Sequence, residues 1–195
     1  MKESDIIALH KKYAPSEEDF NLVYEHCSVV AEIALWCAGN THEPVDRELL
    51  RTAALLHDIG SHPFLAAWSV NESYSRIYPQ HAMMGAKLLA EEGLDPNICS
   101  IIETHPLLGV SKEEIIENKT AMPARDFIPQ TIEGRLLCYA DRFHSKKPIF
   151  SKYDTYLENL KQKFPKQAVK FEAWAKEFGI PDIELLAKKY GHPIR

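Results

Sequence analysis

The chain has 195 residues, of which 45% are hydrophobic, 26% charged and 10% aromatic, and its formal net charge is −5. This length and composition favour a compact domain that buries a core without crosslinks, and they exclude a disordered or fibrous chain. No apolar run approaches the roughly 20 residues that span a bilayer. The acidic balance does not suit a dedicated nucleic-acid-binding module. We therefore expect neither a membrane nor a nucleic acid as a partner.

The first residues and the cysteines favour a cytoplasmic location. Mixed charge begins at once, in Met1-Lys2-Glu3-Ser4-Asp5, without the apolar stretch of a signal peptide. The four cysteines form no CxxC pair, and we expect buried thiols in a reducing compartment. They are Cys27, Cys37, Cys99 and Cys138.

Charge is distributed unevenly along the chain. Residues 1–141 carry 11 Lys and Arg against 22 Asp and Glu, whereas residues 142–195 carry 12 against 6. The lysines of the second part are spaced at helical intervals, which favours a solvated helix surface packed on an acidic body. Attraction of a phosphate-bearing ligand is the alternative.

In the first part of the chain, helix start and stop signals predict four helices. Ser16 is an N-cap for a helix that runs to Gly39, and Asp46 precedes a second helix that ends near Gly60. A third helix follows Pro79 and stops at Gly93, and the fourth opens at Asp95-Pro96 and ends at Pro106. Between the second and third helices, residues 61–79 predict a long ordered loop with room for one short helical turn.

The second part continues the helical pattern. Ser111-Lys112-Glu113-Glu114 is a capping box for a short helix, residues 119–130 form a loop, and Thr131 opens a further helix. The last fifty residues predict three amphipathic helices separated by proline and glycine, and no segment alternates long enough to require a sheet. We predict an all-α fold of about seven to nine helices. It forms one domain over residues 1–195, with a core at about 20–150 and a helical extension at 151–195.

Histidine and aspartate occupy positions where a helix is apolar or where it ends. His26 lies on the apolar stripe of the first predicted helix, His57-Asp58 closes the second, and Asp141 follows the apolar run Leu136–Ala140. A buried carboxylate is costly unless it is paired, hydrogen-bonded or bound to a metal. Each histidine alone is explained by a satisfied core position, but together these residues form a ligand set for Zn, Mn or Fe.

This His…His-Asp…Asp arrangement resembles the HD superfamily of metal-dependent phosphohydrolases. The resemblance spans residues 20–150, and its most specific part is Leu56-His57-Asp58-Ile59-Gly60. It implies an all-helical HD-type bundle and an enzyme, with His57 and Asp58 at the catalytic centre. By the same likeness, His26, His57, Asp58 and Asp141 hold a divalent metal ion.

Two more histidines resemble the extra ligands of HD proteins that hold two metals. His81 stands at a predicted helix start and His105 at a helix end. The resemblance implies a second ion on Asp58, His81 and His105, with Asp58 bridging; the alternative is two histidines favoured at helix ends alone. The ligand types do not distinguish among Fe, Mn, Zn, Mg and Ni. A hydroxide held between two cations attacks phosphorus without a protein nucleophile.

The phosphate-binding residues depart from the pattern of this superfamily. Many members carry a lysine directly after His-Asp-Ile-Gly, whereas this chain has Ser61 followed by His62. His62, Arg142 and Lys146 are candidates to bind the substrate phosphate in its place. Lys87 and Arg76 are weaker candidates.

For other histidines and for some aromatic residues, the sequence predicts roles other than metal binding. His10, His42 and His192 lie among polar loop or terminal residues and are expected to have no role in the site. The tryptophans are expected to pack. As an alternative, Trp68 walls a base-binding pocket together with Phe64 and Tyr74.

The favoured function is hydrolysis of a phosphomonoester, phosphoanhydride or phosphodiester of a nucleotide-like small molecule. The six-ligand layout is similar to that of bacterial HD proteins that cleave diadenosine tetraphosphate symmetrically, around residues 81–89 and 137–141. Two alternatives stay open: an HD oxygenase with a di-iron centre, and a non-catalytic metal-bound regulator. A homodimer is possible on the resemblance alone.

Overall fold

The computed structural model describes residues 1–68 and 78–195, except for the side chains of residues 66–68. The described residues fold mainly into α-helices, as the sequence predicts. These helices are α1 (Glu3–Tyr13), α2 (Glu17–Cys37), α3 (Arg47–Leu56), α4 (His62–Trp68), α5 (His81–Glu91), α6 (Pro96–Glu103), α7 (Lys112–Glu117), α8 (Ile132–Ala140), α9 (Tyr153–Lys163), α10 (Pro165–Phe178) and α11 (Ile183–Tyr190).

Short irregular elements connect these helices near the site described below. Three 3-10 turns are formed by Ile59–Ser61, Tyr78–Gln80 and Asp141–Phe143. A hairpin of two short antiparallel strands follows, β1 (His144–Ser145) and β2 (Ile149–Phe150), in which His144 lies opposite Phe150. The predicted all-α class is confirmed, because this sheet is very small.

The predicted caps explain where several helices begin. In each case a side-chain oxygen accepts a hydrogen bond from a backbone N–H in the first turn, which satisfies a donor that the helix itself leaves free. At the start of α7 the full capping box is formed, because Glu114 also accepts from the backbone N–H of Ser111. The capping residues are Ser16, Asp46, Asp95, Ser111, Thr131 and Asp182.

Two helices were not predicted. α1 carries buried Ile6 and His10 on one face, so this segment packs on the body, and the expectation that His10 is a polar loop residue is wrong. α4 occupies residues 62–68 and is longer than the one short helical turn predicted within the loop of residues 61–79. Proline in the first turn of a helix removes no required hydrogen bond, so Pro63, the second residue of α4, does not break this helix. The rest of the predicted loop, residues 69–77, lies outside the described residues.

The core surrounds α2, α3 and α8. α8 is buried over most of its length, and its Tyr139 is fully buried. Ring centres of Phe143, Phe171 and Phe178 lie 5.0, 5.2 and 5.7 Å from that of Tyr139. These aromatic contacts fix the C-terminal helices against α8, and with it the segment that carries Asp141 at the end of α8.

The four cysteines are free, as the sequence predicts, and three of them are buried. Among the described helices, none is both long and apolar enough to cross a membrane.

Candidate metal centre

The end of α3 turns two neighbouring side chains toward one point. His57 caps the helix, and the backbone of Asp58 has φ −104° and ψ 10°, which leaves the helical region before the next 3-10 turn begins. Within a regular helix, adjacent residues are directed about 100° apart. The break after Leu56 removes this constraint, so both side chains reach the same buried centre.

Three histidines are oriented by the same local contact. The Nδ1 of His57 lies 2.8 Å from the carbonyl oxygen of Ala54. The Nδ1 of His81 lies 2.6 Å from that of Tyr78, and the Nδ1 of His105 lies 2.7 Å from that of Ile102. A carbonyl oxygen can only accept, so each Nδ1 carries a proton, and the neutral form of each ring presents an unprotonated Nε2.

The unprotonated Nε2 atoms converge. The Nε2 of His81 lies 3.0 Å from the Nε2 of His105, although two nitrogen lone pairs cannot form a hydrogen bond with each other. The Nε2 of His57 has no hydrogen-bond partner although it is fully buried. A metal ion is the ligand that such a set of lone pairs accommodates, and backbone carbonyls on Nδ1 are the usual outer partners of metal-binding histidines.

Two carboxylates complete the cluster. The Nε2 of His26, on α2, lies 3.1 Å from Oδ2 of Asp58 and 3.1 Å from Oδ1 of Asp141. The Nε2 of His57 lies 3.4 Å and 3.5 Å from the same two oxygens. Sequence-distant helices therefore bring these four side chains together.

Asp58 connects this group to the other two histidines. Its Oδ2 faces His26 and His57, whereas its Oδ1 lies 2.9 Å from Nε2 of His81 and 3.7 Å from Nε2 of His105. Each of three ligand groups has donor atoms within 4.8 Å of one another. These groups, which could each hold a metal ion, are His26 with His57 and Asp58, His57 with His105 and Asp141, and Asp58 with His81 and His105.

The electrostatics suit a cation. Burial lowers the pKa of His26 to about 3 and that of His105 to about 3, against the effect of Asp58, so both rings are neutral at physiological pH. Burial alone raises the pKa of Asp58, but the Lys146 ammonium and the surrounding imidazoles outweigh it and hold that pKa well below its ordinary value. Neutral imidazole and ionised carboxylate are the forms that bind metals.

His57 behaves differently from the other three imidazoles. Burial lowers its pKa, but contacts with the side chains of Cys27 and Asp58 outweigh this effect and raise that pKa to about 10. A proton on Nε2 of His57 has to leave before this nitrogen binds a cation, so the cluster favours metal binding at higher pH.

A close approach of two glycines fixes the position of His81 relative to Asp58. A Cβ on Gly60 would lie 2.1 Å from the carbonyl oxygen of His81 and 2.3 Å from the backbone N of Gly85. Only glycine allows the 3-10 turn after Asp58 to lie against α5 at this distance. The Gly60 of the His-Asp-Ile-Gly motif is therefore a packing requirement of the site.

The cluster lies in a cavity of about 950 Å³. The wall of this cavity includes His26, His81, His105 and both aspartates. Its outer parts are formed by the loop after α7, the β1–β2 hairpin and Arg195. Positive side chains line it as well, namely Lys119, Arg142, Lys146, Lys147 and Arg195. The cavity therefore offers an anion a route to the buried cluster.

Two of the predicted phosphate-binding residues lie in this cavity. Lys146 is buried, contacts Oδ2 of Asp58, and places its Nζ 5.0 Å from the ring centre of Tyr78. Arg142 contacts Oδ2 of Asp141, and its Nε donates to the carbonyl of Cys138 at 3.1 Å. Both cations thus stand beside the carboxylates of the cluster.

Two other predicted phosphate-binding residues, His62 and Lys87, lie away from this cavity, and those two predictions are corrected. His62 is fully buried outside the cavity wall, with its Nε2 3.1 Å from Nδ1 of His10, because α4 turns its ring toward α1. Lys87 lies 3.9 Å from Glu91 and borders a separate shallow pocket. Phe64 does not line the cavity. Arg76, Tyr74 and the Trp68 side chain lie outside the described residues.

Sequence reasoning missed two histidines that adjoin the cluster. The Nδ1 of His144 lies 3.0 Å from Nδ1 of His26, and its Nε2 lies 3.0 Å from Nδ1 of His192. His192, for which the sequence predicts no role in the site, thus contacts His144, the neighbour of His26. The available signal was weak: His144 lies three residues after Asp141, but nothing local indicates that the C-terminus returns to it.

Comparison with known proteins identifies the class. The family described as HD domain matches residues 23–146 of the chain. The chain belongs to the HD-domain superfamily of metal-dependent phosphohydrolases, as its sequence resemblance indicates.

Several relatives are similar in sequence to this chain. A protein of Methanocaldococcus jannaschii described only as uncharacterized is 34% identical over 149 residues, which cover 74% of this chain and 76% of that protein. The tRNA (cytidine(56)-2'-O)-methyltransferases of Picrophilus torridus and Thermoplasma volcanium are each 32% identical, over 71% of this chain. The match spans only 38% and 35% of those two enzymes.

Solved structures share the fold. The HD domain of the phosphodiesterase PgpH from L. monocytogenes, in complex with cyclic-di-AMP, superposes with a TM-score of 0.57 at 20% identity, covering 98% of this chain and 99% of that one. The same domain without that ligand gives a TM-score of 0.57 at 18% identity, covering 95% and 98%.

Proposed function

We propose that the chain hydrolyses a phosphate ester or anhydride of a nucleotide-like small molecule at a centre of two divalent metal ions. The observation that carries this proposal is the convergence of unprotonated imidazole nitrogens on two carboxylates, at the base of a cavity lined with cations. Imidazole and carboxylate are ligands of first-row divalent metals. Membership of the HD-domain superfamily supports the same chemistry.

Six side chains would hold the metals. His26, His57, Asp58 and Asp141 would bind one ion, and Asp58, His81 and His105 the other. The two oxygens of Asp58 face the two groups separately, which supports a bridging role. When bound, such ions lower the pKa of water near phosphorus and neutralise phosphoryl oxygens. His57 and Asp58, which adjoin each other at the end of α3, would lie at the reacting centre.

Arg142 and Lys146 would bind the phosphate. Each stands on the cavity wall beside a carboxylate of the cluster, Arg142 at Asp141 and Lys146 at Asp58. A guanidinium binds two phosphate oxygens at once, whereas an ammonium acts as a compact point charge. Lys146 would thus take the part that lysine plays directly after His-Asp-Ile-Gly in other superfamily members.

The size of the cavity supports a substrate larger than inorganic phosphate. At about 950 Å³ it falls at the upper end of small-molecule sites. The apolar side chains Leu107, Val110 and Met122 border the same cavity, which suits a base or sugar next to a charged phosphate. We infer a nucleotide or dinucleotide as substrate.

The test is a phosphate-release screen over mononucleotides, dinucleoside polyphosphates and cyclic dinucleotides, with Mn²⁺ or Fe²⁺ added to purified full-length chain. We expect turnover that Asp58→Ala abolishes. Asp154→Ala, which removes an exposed carboxylate from the first turn of α9, is the matched control and should retain activity.

Other outcomes identify the alternatives. Oxygen consumption with an organic substrate, in place of phosphate release, would assign a di-iron oxygenase. Full metal occupancy without turnover on the whole panel would assign a regulator.

A further inference from the structure

We propose that side-chain contacts from His26 through His144 and His192 to Glu25, called the histidine chain below, set the tautomer of His26, so that His26 presents its Nε2 lone pair to a metal ion. This inference rests on the metal centre of the proposed function. It assigns His144, His192 and Glu25 as positioning residues and gives the C-terminal segment a role in the site.

The histidine chain consists of four side chains. Nδ1 of His26 lies 3.0 Å from Nδ1 of His144, and Nε2 of His144 lies 3.0 Å from Nδ1 of His192. Nε2 of His192 lies 3.4 Å from Oε1 of Glu25. Successive rings are nearly parallel, with interplanar angles of 19° at both steps. The chain leaves α2 at His26 and returns to it at Glu25.

The carboxylate gives the chain its direction. A carboxylate oxygen 3.4 Å away favours a proton on Nε2 of His192, and the Nδ1 of the neutral ring is then left to accept. His144 then donates from Nε2 and accepts on Nδ1, and His26 donates from Nδ1. Each neutral ring carries one proton, so the Nε2 of His26 is left without one.

His26 needs this chain because of its place in the fold. The other three histidines of the cluster obtain their tautomer from a carbonyl three residues earlier, at a helix boundary or in a 3-10 turn. His26 lies inside α2, where backbone carbonyls are used by the helix itself. A partner for its Nδ1 must come from elsewhere in the sequence.

The C-terminal tail, residues 191–195, positions His192 beside His144. Gly191 ends α11 in the left-handed region, at φ 72°, and redirects the backbone toward β2. The backbone N–H of Phe150 donates to the carbonyl of Pro193 at 2.9 Å, and that of Arg195 donates to the carbonyl of Phe150 at 2.9 Å. Because Phe150 pairs with His144 across the hairpin, this tail holds His192 next to His144. His192 lies outside residues 23–146 that the HD family matches.

The last residue of the histidine chain, Glu25, is exposed, so substituting it tests the proposal and leaves the core intact. The Glu25 side chain is 48% exposed on α2. Glu25→Lys replaces an acceptor by a pure donor and forces His192 to accept on Nε2, which opposes the tautomer that metal binding needs. Glu25→Gln keeps an acceptor oxygen. Glu18→Lys makes the same charge change two turns away on the same helix, at an exposed position, and is the matched control.

The experiment measures zinc affinity by competition with a chromophoric chelator, and histidine tautomers by long-range ¹H–¹⁵N NMR of the zinc-loaded full-length chain. We expect His144 and His192 of the unaltered chain to be protonated on Nε2 only. In Glu25→Lys, we expect His192 to move its proton to Nδ1 and zinc to bind about tenfold more weakly. The Glu25→Gln and Glu18→Lys variants should bind zinc within about twofold of the unaltered protein, because neither removes the acceptor that faces His192.

Two results would overturn the proposal. One is protonation of His144 or His192 on Nδ1 in the zinc-loaded, unaltered chain; the other is equal zinc affinity of Glu25→Lys and Glu18→Lys. Failure of the unaltered chain to bind zinc would instead refute the metal centre itself. Loss of phosphate release with normal zinc binding would count only against the proposed reaction.

Discussion

The Nε2 atoms of His81 and His105 lie 3.0 Å apart, and each ring has its Nδ1 on the carbonyl oxygen of the residue three positions earlier. Such contacts orient both lone pairs toward each other and toward Oδ1 of Asp58. Without a cation or a proton between them, these atoms repel. The arrangement therefore favours a second metal position, separate from the one that His26 and Asp141 face.

Removing one ligand of this second position should lower the metal content. We predict that His81→Ala reduces the number of divalent ions per chain from about two to about one, because Asp58 and His105 alone do not complete a site. Mass spectrometry of the metals in purified protein measures this number, and circular dichroism checks the fold. His42→Ala, at an exposed loop position, is the control. An unchanged metal content in His81→Ala would refute the second position.

Gly60 should be intolerant of any side chain. We predict that Gly60→Ala destabilises the chain by about 3 kcal/mol or more, since its Cβ would meet backbone atoms of His81 and Gly85 that cannot move independently. It should also weaken metal binding, because α5 carries His81. Chemical denaturation measures the free energy of unfolding.

Gly93→Ala is the control for this substitution. Gly93 has φ 79° and no atom within 4 Å of an added Cβ, so it should cost only the left-handed strain of about 1–2 kcal/mol. Equal losses in the two variants would contradict the close approach of the 3-10 turn to α5.

Lys146 should stabilise the metal-free chain. We predict that Lys146→Met lowers the free energy of unfolding in EDTA by about 3–5 kcal/mol, because it leaves the buried Asp58 carboxylate without its cation. Saturating Mn²⁺ should recover most of this loss, since the metal supplies the missing positive charge. Lys147→Met, at an exposed neighbouring position, should have little effect. A loss that Mn²⁺ does not recover would assign Lys146 a packing role.

The stability of the metal-free chain should be greatest near pH 6.5. Burial lowers the pKa of His10 to about 4 and that of His105 to about 3, so below pH 6.5 the unfolded state binds protons that the folded state does not. Stability then falls as the pH drops toward 4, by up to about 1.4 kcal/mol per pH unit for each buried imidazole.

The raised pKa of His57 acts in the opposite direction. Between pH 6.5 and about 10 the folded state holds a proton that the unfolded state has lost, so stability falls as the pH rises through this range. Urea denaturation in EDTA from pH 4.5 to 9 measures both effects. A curve that is flat across this range would contradict both the lowered pKa values of His10 and His105 and the raised pKa of His57.

The sequence predicts those features, such as helix starts, that depend on interactions between residues close together in the chain. Ser16, Asp46 and Ser111 mark helix starts because their side chains satisfy backbone donors within the next three residues. His57-Asp58 was assigned to a buried centre because an apolar helix ends there. All six predicted ligands lie in one cluster in the structure.

The features that the sequence did not predict depend on contacts between distant segments. His144 meets His26 across 118 residues, and His192 reaches His144 only because the C-terminal tail pairs with β2. The direction of His62 follows from α4, a helix within the segment that the sequence predicts as a loop with one short helical turn. Cations near a site are easily recognised in a sequence, but only the fold shows that Lys146 faces Asp58 and that Lys87 does not.

The most direct test of the account is anomalous X-ray diffraction from crystals of the full-length chain soaked in Mn²⁺. We predict two anomalous peaks, one bound by His26, His57, Asp58 and Asp141, and the other by Asp58, His81 and His105. Absence of any peak among these six side chains at saturating Mn²⁺ would refute the metal centre.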